Sequence, residues 1–98
     1  MLIRIVKMKF KPETIDSFKV IFKNNKEKIR HFEGCLHLEL YQDQNDSSLF
    51  FTYSYWESEQ HLDTYRNSEL FKSIWATTKV GFSEQPEAWS LNKLEELN

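Results

Sequence analysis

Residues 35–56 read Cys-Leu-His-Leu-Glu-Leu-Tyr-Gln-Asp-Gln-Asn-Asp-Ser-Ser-Leu-Phe-Phe-Thr-Tyr-Ser-Tyr-Trp, and this stretch decides the fold. From 35 to 42 the chain alternates. Leu36, Leu38 and Leu40 share one face and Cys35, His37, Glu39 and Tyr41 the other, which is the two-residue period of a strand. Gln42 to Ser48 is polar, with Asn45-Asp46 at its tip, the composition of a turn. The alternation resumes over 49–56, where Leu49, Phe51, Tyr53 and Tyr55 oppose Phe50, Thr52, Ser54 and Trp56. Two strands and a short turn predict an antiparallel hairpin.

Upstream of the hairpin, residues 2–10 form another strand. One parity carries Leu2, Val6, Met8 and Phe10 with Arg4 among them; the other carries Ile3, Ile5, Lys7 and Lys9. Pro12 then opens a helix, where its fixed φ and missing N–H do no harm. Glu13 and Asp16 suit the first turn, Ile15, Phe18, Phe22 and Ile29 recur at helical spacing, and Gly34 supplies the break. Downstream, Ser58 reads as an N-cap before Leu62 and Tyr65. Asn67-Ser68 ends that helix and caps another, which carries Phe71, Ile74, Trp75 and Thr78 and closes at Gly81. Residues 84–91, with Pro86, Ala88, Trp89 and Leu91, suit an edge strand.

The predicted order is β-α-β-β-α-β with the second helix broken in two. That is an α+β, ferredoxin-like split βαβ domain with a four-stranded antiparallel sheet. Residues 1–91 make the single domain and 92–98 a C-terminal tail, mobile or briefly helical. Helices cover one face of the sheet. The other still carries large apolar groups, so a homodimer packed sheet against sheet is expected.

Composition narrows the function classes. The chain has 98 residues, 40% hydrophobic and 29% charged, as in one soluble domain. Eight Phe, four Tyr and three Trp are more than a small two-layer core needs, so some are expected to line a cavity or an interface. A net charge of −2 argues against nucleic acid or an anionic membrane as partner; the cluster Lys23, Lys26, Lys28 and Arg30 reads as a solvated helix face. The single cysteine, Cys35, forms no intramolecular disulfide and reads as packing. No basic n-region and apolar h-region open the chain, and no apolar run approaches ~18 residues, so the expected location is the cytoplasm. Glycine-rich phosphate loops, dinucleotide fingerprints and serine elbows are missing, so no cofactor is expected. His31, His37 and His61 do not form a metal set, and His61 reads as solvated.

The stretch 56–71 resembles the antibiotic biosynthesis monooxygenase domain family, the dimeric α/β-barrel proteins. The matching residues are Trp56-Glu57-Ser58, Leu62, Ser68 and Phe71, supported by Lys11-Pro12-Glu13 and Phe32-Glu33-Gly34-Cys35. The resemblance covers residues 1 to about 91. It implies a homodimer with a pocket between sheet and helices in each subunit. It also implies one of three activities: cofactor-free oxygenation of phenols or quinols, heme degradation, or none yet assigned. The residue most frequent at the middle of the helical motif is His, and here it is Tyr65, whose unperturbed pKa of about 10 does not suit a base at neutral pH. The heme-degrading branch needs Asn, Trp and His where this chain has Val6, Tyr65 and Trp75, so heme degradation is not expected.

The expected function is therefore a cofactor-independent monooxygenase using molecular oxygen on a small aromatic or quinol-like substrate. Tyr65, His37 and Arg4 are its candidate catalytic residues, and Tyr53, Phe51, Phe71, Trp75 and Val6 its substrate-binding residues. The alternatives are a dimeric small-ligand-binding or stress-related protein without turnover, and a scaffold whose pocket Trp75 closes. Two residues keep double readings. His37 is either a base oriented by Glu39 or an ordinary interface histidine. Arg4 either steadies a phenolate or pairs with Glu39 or Glu57.

Overall fold

The computed structural model describes residues 1–98. Strand β1 (Leu2–Lys9) leads through a 3-10 turn at Pro12–Thr14 into helix α1 (Ile15–Arg30). Then come β2 (Cys35–Gln42), β3 (Leu49–Trp56), α2 (Glu59–Arg66), α3 (Glu69–Lys79) and β4 (Glu87–Leu91). The sheet order is β2-β3-β1-β4 and every neighbouring pair is antiparallel. This is the ferredoxin-like arrangement expected from the element order, with β4 at an edge directly after Pro86.

Local chemistry explains the boundaries. The Ser58 and Ser68 hydroxyls accept the backbone N–H groups of His61 and Phe71, capping α2 and α3. Gly34 takes φ +90°, a conformation that L side chains rarely adopt, and turns the chain from α1 into β2.

Register sets which side chains meet. Even-numbered residues of β1 and β3 face the helices: Arg4 is paired with Ser54 and Ser90, and Val6 with Thr52 and Ala88. Odd-numbered residues face the other way. β2 departs from its expected alternation, because a bulge lies between Cys35 and His37. Cys35 pairs with Trp56 and joins the core, Leu36 is left 42% exposed, and only from His37 onward does the strand keep a simple parity. The expected face of Cys35, His37, Glu39 and Tyr41 is thus corrected: Cys35 lies on the opposite side from the other three.

The helix-side core is split. One cluster gathers Ile29, Cys35, Trp56, Leu62 and Tyr65; the second gathers Met8, Phe10, Phe18 and Phe50. In the second, Phe10 stacks on Phe18 at 4.3 Å and meets Phe50 edge-on at 5.8 Å.

No helix covers the far face of the sheet. It carries Ile3, Ile5, Phe51, Tyr53, Tyr55 and, from β4, Trp89 and Leu91; Ile3 is buried, whereas Trp89 and Leu91 are 44% and 42% exposed. Residues 92–98 carry no helix or strand. The Lys93 ammonium lies 5.2 Å over the Tyr55 ring and pairs with Glu96, while Leu94 and Leu97 stand almost fully exposed.

Candidate functional site

Between the two core clusters, under the helices, the fold leaves a half-open cavity of about 320 Å³. Ligand sites span about 300–1,000 Å³, so this one suits a molecule of one or two rings. β1 contributes Arg4, Val6 and Met8, β3 contributes Thr52, Ser54 and Trp56, and α1 contributes Phe18, Phe22 and Ile29. α2 adds Leu62, Tyr65 and Arg66, α3 adds Phe71, Ile74, Trp75 and Thr78, and the start of β4 forms the rim with Pro86, Glu87 and Ala88.

The wall is mainly apolar, and the rings within it are ordered by one another. Tyr65 stacks on Trp56 at 4.9 Å and meets Phe71 edge-on at 5.2 Å; Phe71 stacks on Trp75 at 5.6 Å, with 14° between planes. Trp75 also packs edge-on against Phe82 at 5.4 Å. It is part of the wall, and the cavity stays open beside it. The Trp56 indole N–H donates to Ser54 Oγ at 3.0 Å, which fixes the ring that floors the cavity.

Two polar groups stand out. Tyr65 is 9% exposed, and its hydroxyl has no hydrogen-bond partner in the protein. No fully enclosed side-chain polar atom lacks a partner, so this hydroxyl keeps an open surface. Burial pushes its phenol well above the usual tyrosine range, which makes it a neutral hydrogen-bond donor rather than a base. Arg4 is half-buried on an otherwise apolar strand face. Its Nη1 donates to Ser90 Oγ at 3.0 Å. Burial, then the nearby Arg66 charge, push its pKa down, while Asp63 acts the other way.

Of the residues singled out from sequence, Arg4, Tyr65, Val6, Phe71 and Trp75 line this cavity. His37, Phe51 and Tyr53 do not. They stand on the opposite face of the sheet, where His37 and Tyr55 are register partners. The chain therefore gathers no site holding both His37 and Tyr65. Glu39 does lie 3.3 Å from His37 Nε2, and it also accepts the Tyr41 hydroxyl at 2.8 Å. The expected pairing of Arg4 with Glu39 or Glu57 is corrected: Glu39 is across the sheet, and Glu57 sits 3.4 Å from His61 Nε2. Nor is His61 simply solvated, since its Nδ1 is 2.7 Å from Ser58 Oγ and its ring covers Gly34. Cys35 is buried, and burial raises its thiol pKa, in keeping with packing.

Sequence reasoning missed Arg66, Ser54 and Thr52. Arg66 follows Leu62 by four residues on one helix face, and Ser54 and Thr52 are polar residues on the parity of Trp56; those spacings were the available signal. No three His, Cys, Asp or Glu side chains converge in a metal-binding arrangement. No helix is long and apolar enough to cross a membrane.

A ferredoxin-like domain with a cavity between helices and sheet is a class of fold with many uses. A family model, antibiotic biosynthesis monooxygenase, matches residues 1–76, and the chain belongs to that family. Among solved structures, one described as an antibiotic biosynthesis monooxygenase is 24% identical, with TM-score 0.91, covering 97% of this chain and all of its own. A conserved protein from Methanosarcina mazei Go1 is 26% identical, with TM-score 0.88, over 95% of this chain and 93% of that one. PA3566 from Pseudomonas aeruginosa is 22% identical, with TM-score 0.85, over 96% and 94%. No curated protein matches in sequence.

Proposed function

We propose that the protein is a cofactor-independent monooxygenase that oxidises a small electron-rich aromatic molecule of the hydroquinone kind. The observation that carries this reading is a mainly apolar cavity of one-to-two-ring size, with Trp56, Tyr65, Phe71 and Trp75 in its wall and the half-buried Arg4 and the unpartnered phenol of Tyr65 among its polar residues. A hydroquinone bound there, with its oxygen toward Arg4, loses a proton to solvent at the open mouth. The guanidinium stabilises the anion, and the Tyr65 hydroxyl donates a hydrogen bond to it. The electron-rich anion passes one electron to dioxygen, and the radical pair combines into a carbon-bound peroxide. Loss of water from the protonated peroxide leaves one oxygen atom on the ring and the other in water. All four electrons of dioxygen reduction come from the substrate, so the balance needs no external reductant.

The test is oxygen consumption with a panel of hydroquinones and naphthohydroquinones across pH 6–9. Uptake above the buffer autoxidation rate is expected, with Arg4→Met lowering kcat/KM at least tenfold. No enzyme-dependent uptake with any member, from folded protein, overturns the assignment and leaves ligand binding without turnover.

The uncovered sheet face supports a homodimer. In this reading Phe51, Tyr53, His37 and Trp89 belong to the subunit contact, and the exposed Leu94 and Leu97 reach a second copy. Light scattering at micromolar concentration is expected to give twice the mass of the 11.9 kDa chain; a stable monomer refutes it.

A further inference from the structure

The cavity carries more positive charge than a neutral hydroquinone needs. Arg4 has five N–H donors, and one hydroxyl, that of Ser90, is its hydrogen-bond partner. No carboxylate lies within 4.0 Å of it, although it is half-buried beside apolar residues. The carboxylate nearest in effect, Asp63, is already 3.9 Å from Arg66. Glu87, at the rim, is 3.9 Å from Lys7. Of the charged residues that line the cavity, Arg4 and Arg66 are opposed by Glu87 alone, a net charge of about +1, and no carboxylate occupies the Arg4 guanidinium. Such a fork matches a planar oxyanion, which it grips through two parallel bonds.

We propose that the natural ligand is an aromatic carboxylate: its carboxylate takes two N–H donors of Arg4 and leaves the remaining ones for an adjacent ring oxygen, Arg66 supplies long-range attraction, and the ligand's ring lies along Tyr65 and Trp75. The proposal rests on reading this cavity as the substrate site, and adds a requirement that oxygenation alone does not impose. The anionic substituent holds the ring in one orientation, so the oxidised carbon is the same in every turnover.

The experiment compares 1-naphthoate with its neutral isostere 1-naphthamide by anaerobic calorimetric titration of the full-length protein. The acid is expected to bind at least tenfold more tightly at low salt, an advantage that shrinks with added sodium chloride. Arg4→Met should bring the ratio to within about twofold while amide binding persists, and Arg4→Lys should retain part of it. Arg66→Met, at a more exposed position, should lower the ratio about threefold.

Equal binding of acid and amide by the unmodified protein overturns the proposal, as does failure of both to bind at millimolar concentration. That comparison needs no variant, so a misfolded Arg4→Met does not obscure the answer. Acid preference without oxygen uptake keeps the anion site and removes the oxygenase. Uptake with neutral hydroquinones and no acid preference does the reverse.

Discussion

Trp56→Ala is expected to lower the free energy of unfolding by about 3–5 kcal/mol, read from urea denaturation followed by circular dichroism. Trp56 is 1% exposed, stacks on Tyr65, and pairs across the sheet with both Leu2 and Cys35. Removing it deletes the largest side chain of one core cluster. It also strips the support from under Tyr65 and orphans the Ser54 hydroxyl that the indole N–H now meets. The surroundings have little means to close the gap, because the site already borders a cavity. Small domains have roughly 5–15 kcal/mol in total, so this one change takes a large share. Trp56→Phe restores a ring and should recover most of the loss. A cost below about 1 kcal/mol for the alanine variant would mean that the two clusters repack into one.

Gly34→Ala is expected to cost roughly 2–5 kcal/mol in the same measurement. Two independent penalties add. A side chain at φ +90° is strained by about 1–2 kcal/mol. A Cβ built there would also lie 2.4 Å from His61 Cβ and 2.5 Å from its ring, and overpacking of this kind costs about 1–3 kcal/mol. Substituting His61 by alanine does not relieve the clash, since the nearest atom is the Cβ itself. A Gly34→Ala protein as stable as the parent would show that the α1–β2 turn shifts freely.

The element order was legible in the sequence because each boundary has a local chemical cause. Gly34, Ser58, Ser68 and Pro86 all act where their chemistry predicts, and strand alternation paired the hairpin correctly. What was not legible has physical reasons too. The bulge makes Leu36 the extra residue between Cys35 and His37, and since both Cys35 and Leu36 are apolar the pattern reads as uninterrupted although the parity changes beneath it. The placement of His37 across the sheet from Tyr65 depends on which face of β2 meets the helices, and His37, Glu39 and Tyr41 look equally plausible in a pocket or an interface. Arg4 was legible as an anomaly, a cation on an apolar parity. Its partner was not, because Ser90 reaches it through the β1–β4 pairing, 86 residues away in sequence.

The divided core has a consequence for how the protein would respond to the proposed ligand. Met8 and Phe18 from one cluster and Ile29, Trp56, Leu62 and Tyr65 from the other all touch the cavity. A ring seated there completes contacts that neither cluster makes alone, as a missing core side chain would. Folding and occupancy then form one linked equilibrium, and ligand at one hundred times its Kd adds about 2.7 kcal/mol to stability. For the proposed ligand, the urea midpoint would therefore rise with ligand concentration, a readout of occupancy that needs no turnover.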